Sequence, residues 1–101
     1  MEIIKHLSEQ IEEELGDANK YIKCALKHKE TEPELARLYF SLSLEEMKHA
    51  DMLHDEVKKI IADYRVKNGE PPETMMFLYN YLHEKQIERA SKIKAKQESF
   101  K

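Results

Sequence analysis

Glu46 and His49 stand three residues apart in the run Leu42-Ser43-Leu44-Glu45-Glu46-Met47-Lys48-His49-Ala50. On a helix that spacing sets both side chains on one face, one above the other. A carboxylate and an imidazole so placed can share a metal ion or a proton. The positions spaced by three and four around them, Leu35, Leu38/Tyr39, Leu42, Leu53, Val57, Ile60 and Tyr64, are apolar or aromatic. The pair therefore falls on the stripe that an amphipathic helix turns toward its core. Buried charge is costly unless it is paired or coordinates a metal, so the pair calls for a partner.

Glu14 is the partner the chain offers. It interrupts a second apolar stripe, Ile4, Leu7, Ile11, Ala18, Tyr21/Ile22 and Ala25, within a helical pattern running from about residue 2 to 29, whereas Glu12 and Glu13 fall off the stripe. Lys27-His28-Lys29 suits the negative end of that helix. Thr31-Glu32-Pro33-Glu34 then predicts a new helix start, with Thr31 as N-cap, Glu34 as its capping-box partner and Pro33 in the first turn. So short a connection makes the two helices antiparallel neighbours. Glu14 lies 17 residues before Thr31 and Glu46 lies 15 after it. At about 1.5 Å rise per residue they stand roughly 25 Å and 22 Å from the turn, and His49 roughly 27 Å. Three potential ligands therefore meet at one height.

The second helix is expected from about residue 32 to 67, closed by Asn68-Gly69. After the stiff Glu70-Pro71-Pro72-Glu73 connector, a third is expected over about 73–97, with the stripe Met75, Leu78, Leu82, Gln86, Arg89/Ala90 and Ile93. Its beginning, rich in Met75, Met76, Phe77, Tyr79 and Tyr81, is apolar nearly all round and predicts burial on two sides. Its stripe fades later, so the tail from about Lys92 is expected to fray or to dock on another chain.

Composition agrees with this all-α architecture in one domain over residues 1–101. Charged residues make up 37% of the chain against only two glycines and three prolines, which favours long exposed helices over turn-rich sheets. A chain of 101 residues has room for three or four helices but a thin core for a monomer. The net charge of −3 is built from interleaved acids and bases, and no basic face calls for nucleic acid. The N-terminus lacks the pattern of a signal peptide and no stretch is as long as a membrane span, so cytoplasmic residence is expected. Cys24 is alone, which excludes an internal disulfide and a Cys-pair zinc site.

An oxygen-rich, thiolate-free ligand set with one histidine favours iron or manganese over structural zinc. Di-iron carboxylate bundles take a Glu from each of two helices and a Glu-x-x-His from each of two others. Glu14 with Glu46 and His49 is half of that set. The third helix carries no second Glu-x-x-His, so a symmetric homodimer is the simplest way to complete four helices and two metals.

Glu14 followed by Tyr21, then Glu46-Met47-Lys48-His49-Ala50, resembles one half of a rubrerythrin or ferritin-like di-iron protein, most nearly the short subunits of encapsulated ferritins. The resemblance covers roughly residues 4 to 65. It implies a ferritin-like four-helix bundle formed by dimerisation, and ferroxidase chemistry in which Fe(II) binds between two subunits and is oxidised by dioxygen or peroxide. It implies Glu14, Glu46 and His49 as ligands, Glu46 as the bridging one, and Tyr21 as a donor to them. No Cys-x-x-Cys pair of a rubredoxin-type electron-transfer domain is present.

Blander readings stand beside these. The inward Glu and His can instead form buried hydrogen bonds or ion pairs that set helix register in a non-catalytic interaction protein. Asp51 and His54, also three apart, fall off the stripe and read as surface residues, and His6, His28 and His83 read as surface or boundary histidines. Glu84 and Glu88 read as a solvated face, and the tyrosines as core.

Overall fold

The computed structural model describes residues 2–101 and consists of three helices, α1 (Glu2–His28), α2 (Pro33–Asn68) and α3 (Glu73–Phe100). No strand occurs among the described residues, and no helix among them is long and apolar enough to cross a membrane. The molecule is a rod of 56 × 18 × 18 Å.

The first turn begins differently from the expected capping box. Glu32, not Thr31, is the N-cap of α2, and no side chain caps that end. The Glu32 amide donates to the His28 carbonyl at 2.9 Å, and the Glu32 carboxylate lies 3.3 Å from His28 Nδ1. Prolonging the α1 hydrogen-bonding pattern to Glu32 moves the cap one residue past Thr31. The far end of α2 closes as expected: Gly69 takes φ 77° and its amide donates to the Arg65 carbonyl at 3.0 Å.

The α1–α2 hairpin holds most of the core. From α1 come Ile4, Leu7, Ile11, Leu15, Ala18, Ile22 and Ala25, and from α2 Ala36, Ser43, Met47, Ala50, Val57 and Ile61. The expected stripes are thus displaced. Leu15, 2% exposed, occupies the core position that the sequence pattern gives to Glu14, and on α2 the buried row runs along the flank of the stripe predicted from Leu35 to Tyr64. The cause is α3, which packs on one side of the hairpin and draws the core toward itself. The other flank is left uncovered, with Leu38 54% and Met52 64% exposed.

Polar contacts along one seam dock α3. Gln86 Nε2 donates to Ser8 Oγ at 3.1 Å, Arg89 pairs with Glu12, and Lys96 Nζ donates to Asn19 Oδ1 at 2.7 Å. Buried Gln97 Nε2 donates to Ser43 Oγ at 2.9 Å, and Ser43 Oγ in turn donates to the Ala18 carbonyl at 2.7 Å. Phe100 stacks on Phe40 with ring centroids 4.6 Å apart. These contacts carry the helix to Phe100, so the tail expected to fray is anchored on its own hairpin. The N-terminal half departs from expectation in the opposite sense. Phe77, Leu78 and Tyr81 are exposed, because α3 has the hairpin on one side only.

Candidate metal centre

Glu12 fixes the orientation of Glu14. Glu12 faces α3 through Arg89, and a residue two further on lies about 200° round the helix, so Glu14 is turned away from α3 toward the uncovered flank. On α2, His49 lies five residues before His54, whose ring meets α3. Five steps of about 100° leave the two about 140° apart, so His49 also faces the open side.

There the three residues meet as the height argument requires. His49 Nδ1 stands 3.6 Å from Glu14 Oε2 and 3.7 Å from Glu46 Oε1. One ligand atom from each of the three lies within 4.8 Å of the others, the one such Glu, Asp, His or Cys group of three or more among the described residues. Their burial is graded rather than complete. The Glu46 and Glu14 side chains are 19% and 26% exposed, and that of His49 is 52% exposed. The expectation that His49 is buried in the seam is therefore corrected, because no element of the chain covers that flank.

The charge balance is strained. Glu46 is raised from the usual carboxylate range to about 7. Its interaction with the Glu14 carboxyl is the main cause, as a hydrogen bond that requires a proton, followed by burial and by the Glu14 charge; Asp17 adds to the rise and His49 opposes it. Glu14 Oε2 is itself buried and accepts no hydrogen bond. Two carboxylates are held together, one with an oxygen that accepts no hydrogen bond, and further positive charge between them would relieve their repulsion. A divalent ion bound by one oxygen from each Glu and a His nitrogen, at about 2.0–2.2 Å, would supply it. The donor set thus fits a metal.

Tyr21 lies on the same flank, two turns from Glu14, but its ring is engaged elsewhere. It stacks on Tyr39 at 6.2 Å, Tyr39 stacks on His28 at 6.2 Å, and no hydrogen bond joins Tyr21 to Glu14, Glu46 or His49.

His54, read as a surface residue, and His83, read as a surface or boundary one, take part in packing across helices. His54 and His83 stack with centroids 4.2 Å apart and planes 3° from parallel, and His83 Nδ1 is buried without a partner. The available signal was that Asp51, His54 and Met47 share the flank of α2 on which α3 lies, which a pattern scored for a single apolar stripe passes over. Compared with protein-family models, curated proteins and solved structures, the chain finds no match in any of the three.

Proposed function

We propose that this chain is a di-iron carboxylate protein that binds and oxidises Fe(II) at a centre completed by a second copy of itself, serving iron handling or peroxide protection. The observation that carries this reading is the buried Glu14 Oε2, which accepts no hydrogen bond, beside Glu46 and His49. Glu14 and His49 would hold one metal in the chain's own half, and Glu46 would be the ligand shared with a second, as the resemblance implies. Manganese and zinc would compete for the same oxygen and nitrogen donors. Bound iron would supply electrons to dioxygen or peroxide, while Glu14, Glu46 and His49 would fix the ligand geometry. Glu46 contributes a proton-dependent entry step, since its carboxyl must ionise to ligate.

The need for a second copy follows from chemistry and shape together. One Glu and one Glu-x-x-His leave any metal with open positions, and half of His49 faces solvent. The same flank carries exposed Leu38 and Met52 with half-buried Leu35, Leu42, Leu53 and Ile60, an apolar surround suited to another hairpin. Two hairpins facing each other through these flanks would make a ferritin-like four-helix bundle with each α3 on the outside. Cytoplasmic residence belongs to the same proposal.

Anaerobic titration with Fe(II), followed by admission of air and near-ultraviolet absorbance, tests the reading. Uptake near one iron per chain, lost in Glu46→Ala and His49→Ala, is expected. Absence of uptake, or uptake indifferent to both substitutions, would leave the register-setting helical protein as the better account, its Glu46 and Glu14 joined by a shared proton.

A further inference from the structure

We propose that the ring stack of His54, His83 and Tyr79 is a pH-sensitive latch that holds the N-terminal half of α3 on the hairpin and loosens it when the stack takes up protons. The two halves of α3 are attached in different ways. Its C-terminal half is anchored by buried Ile93, the Gln97–Ser43 hydrogen bond and the Phe100–Phe40 stack, none of which titrates near neutrality. Its N-terminal half exposes Phe77, Leu78 and Tyr81, rests on the core through Met76 and Tyr79 and on α1 through the Gln86–Ser8 hydrogen bond, and meets α2 through His83. His83 is parallel to both aromatic neighbours, 4.2 Å and 3° from His54 and 5.8 Å and 4° from Tyr79.

The stack suits neutral rings. A proton on each imidazole would bring two like charges face to face across the α2–α3 junction, where His83 Nδ1 has no acceptor to share its proton with. Burial, then His83, then Lys58 hold His54 below its ordinary value of 6.5, with Asp55 and Asp51 opposing them. From α3 the facing groups are Tyr79, His83 and Lys94; from α1, apolar Ile11 and Leu15 line the cavity beside the stack, and Glu2, Lys5, Glu9 and Glu12 line the groove on the Tyr79 side. A group whose folded-state value is depressed leaves the structure intact above the unfolded value and withdraws stability as pH falls below it. Acid therefore loosens the junction.

Loosening has a defined consequence. The cavity of about 330 Å³ between the hairpin and α3 is floored by Leu15, Met47 and Ala50, the immediate sequence neighbours of Glu14, Glu46 and His49. Release of the N-terminal half of α3 bares that floor, while the latch itself does not depend on a metal.

Hydrogen exchange of the metal-free full chain at pH 7.5 and pH 5, corrected for intrinsic rates, reads the latch directly. Protection over residues 75–87 is expected to fall several-fold more than protection over 92–99. In His83→Phe and His54→Phe, each of which keeps a ring that cannot titrate, that excess is expected to shrink, and in the double variant to vanish. Equal losses in both segments, or an undiminished excess in the phenylalanine variants, would overturn the proposal. The unsubstituted chain gives a second reading should a variant fold poorly. The ring carbon signals of His54 are expected to titrate below its ordinary value, together with the exchange change, and titration away from the midpoint of that change would equally overturn it.

Discussion

Glu12 and Glu14, two residues apart on α1, serve opposite flanks of the hairpin: Glu12 pairs with Arg89 of α3, and Glu14 lies 3.6 Å from His49 of α2. One helix thus separates a structural ion pair from the candidate metal centre by its own rotation. Glu14→Gln keeps the shape but removes the charge, and it is expected to weaken Fe(II) or Zn(II) uptake by more than the about 10–100-fold typical of groups that only support a ligand. Glu12→Gln is expected to leave uptake unchanged and to cost less than about 1 kcal/mol, since its ion pair is part exposed. Equilibrium dialysis and denaturant melts separate the two effects.

Proton release should accompany metal binding. With Glu46 raised to about 7, uptake at pH 6 displaces a proton, so affinity is expected to rise by up to about tenfold per pH unit below that value and then level off. Calorimetry of Zn(II) binding in two buffers of different ionisation enthalpy measures the proton count. The metal-free protein carries the mirror-image effect. A folded-state value raised from 4.5 gives a stability contribution present below 4.5 and lost as pH rises through about 7. Glu46→Gln is therefore expected to stabilise the metal-free chain at pH 7.5 more than at pH 4.5, a difference that also subtracts the opposite-signed contribution of His54.

Gly16 is not required by space. A Cβ built there would meet Arg89 Nη2 at 3.8 Å, an ordinary contact, and the residue is helical with no positive φ. Gly16→Ala is expected to stabilise the chain by up to about 1 kcal/mol through backbone entropy. For a domain of this length that corresponds to roughly 4–8 °C in Tm, readable by circular dichroism.

Ser43 joins all three helices through one hydroxyl, donating to the Ala18 carbonyl and accepting from Gln97. Ser43→Ala leaves the buried Gln97 amide without its acceptor, while the Ala18 carbonyl keeps its helical hydrogen bond, and is expected to cost about 1–3 kcal/mol, with faster exchange over residues 92–99. Thermal melts and hydrogen exchange test both parts.

The helices and the height at which Glu14, Glu46 and His49 meet were legible because rise per residue and antiparallel pairing are local consequences of sequence. The rotation of each helix was not. Glu14 and Leu15 are neighbours about 100° apart, and apolar periodicity alone does not say which direction is inward when α3 covers only one flank. Nor was the docking of α3 legible, since Gln86, Arg89, Lys96 and Gln97 hold it by polar contacts that a hydrophobic pattern scores as surface. The His54–His83 stack belongs to the same class: its partners are 29 positions apart and neither lies on an apolar stripe.

Leu38 offers a test of the second copy that spares the ligands. It is 54% exposed and lies on the ligand-bearing side of α2, eight residues before Glu46 and so about 80° from it. In a lone chain Leu38→Glu removes little buried hydrocarbon, so the melting temperature at high dilution is expected to change by no more than about the 0.5 kcal/mol usual for surface sites. Between two facing hairpins the same carboxylate would be desolvated without a partner. Sedimentation is then expected to show the substituted chain as a monomer at concentrations where the parent dimerises in the presence of Fe(II), with metal uptake weakened although Glu14, Glu46 and His49 are intact. If Leu38→Glu dimerises and loads iron like the parent, the second hairpin does not meet this flank of α2, and the centre must be completed in another way.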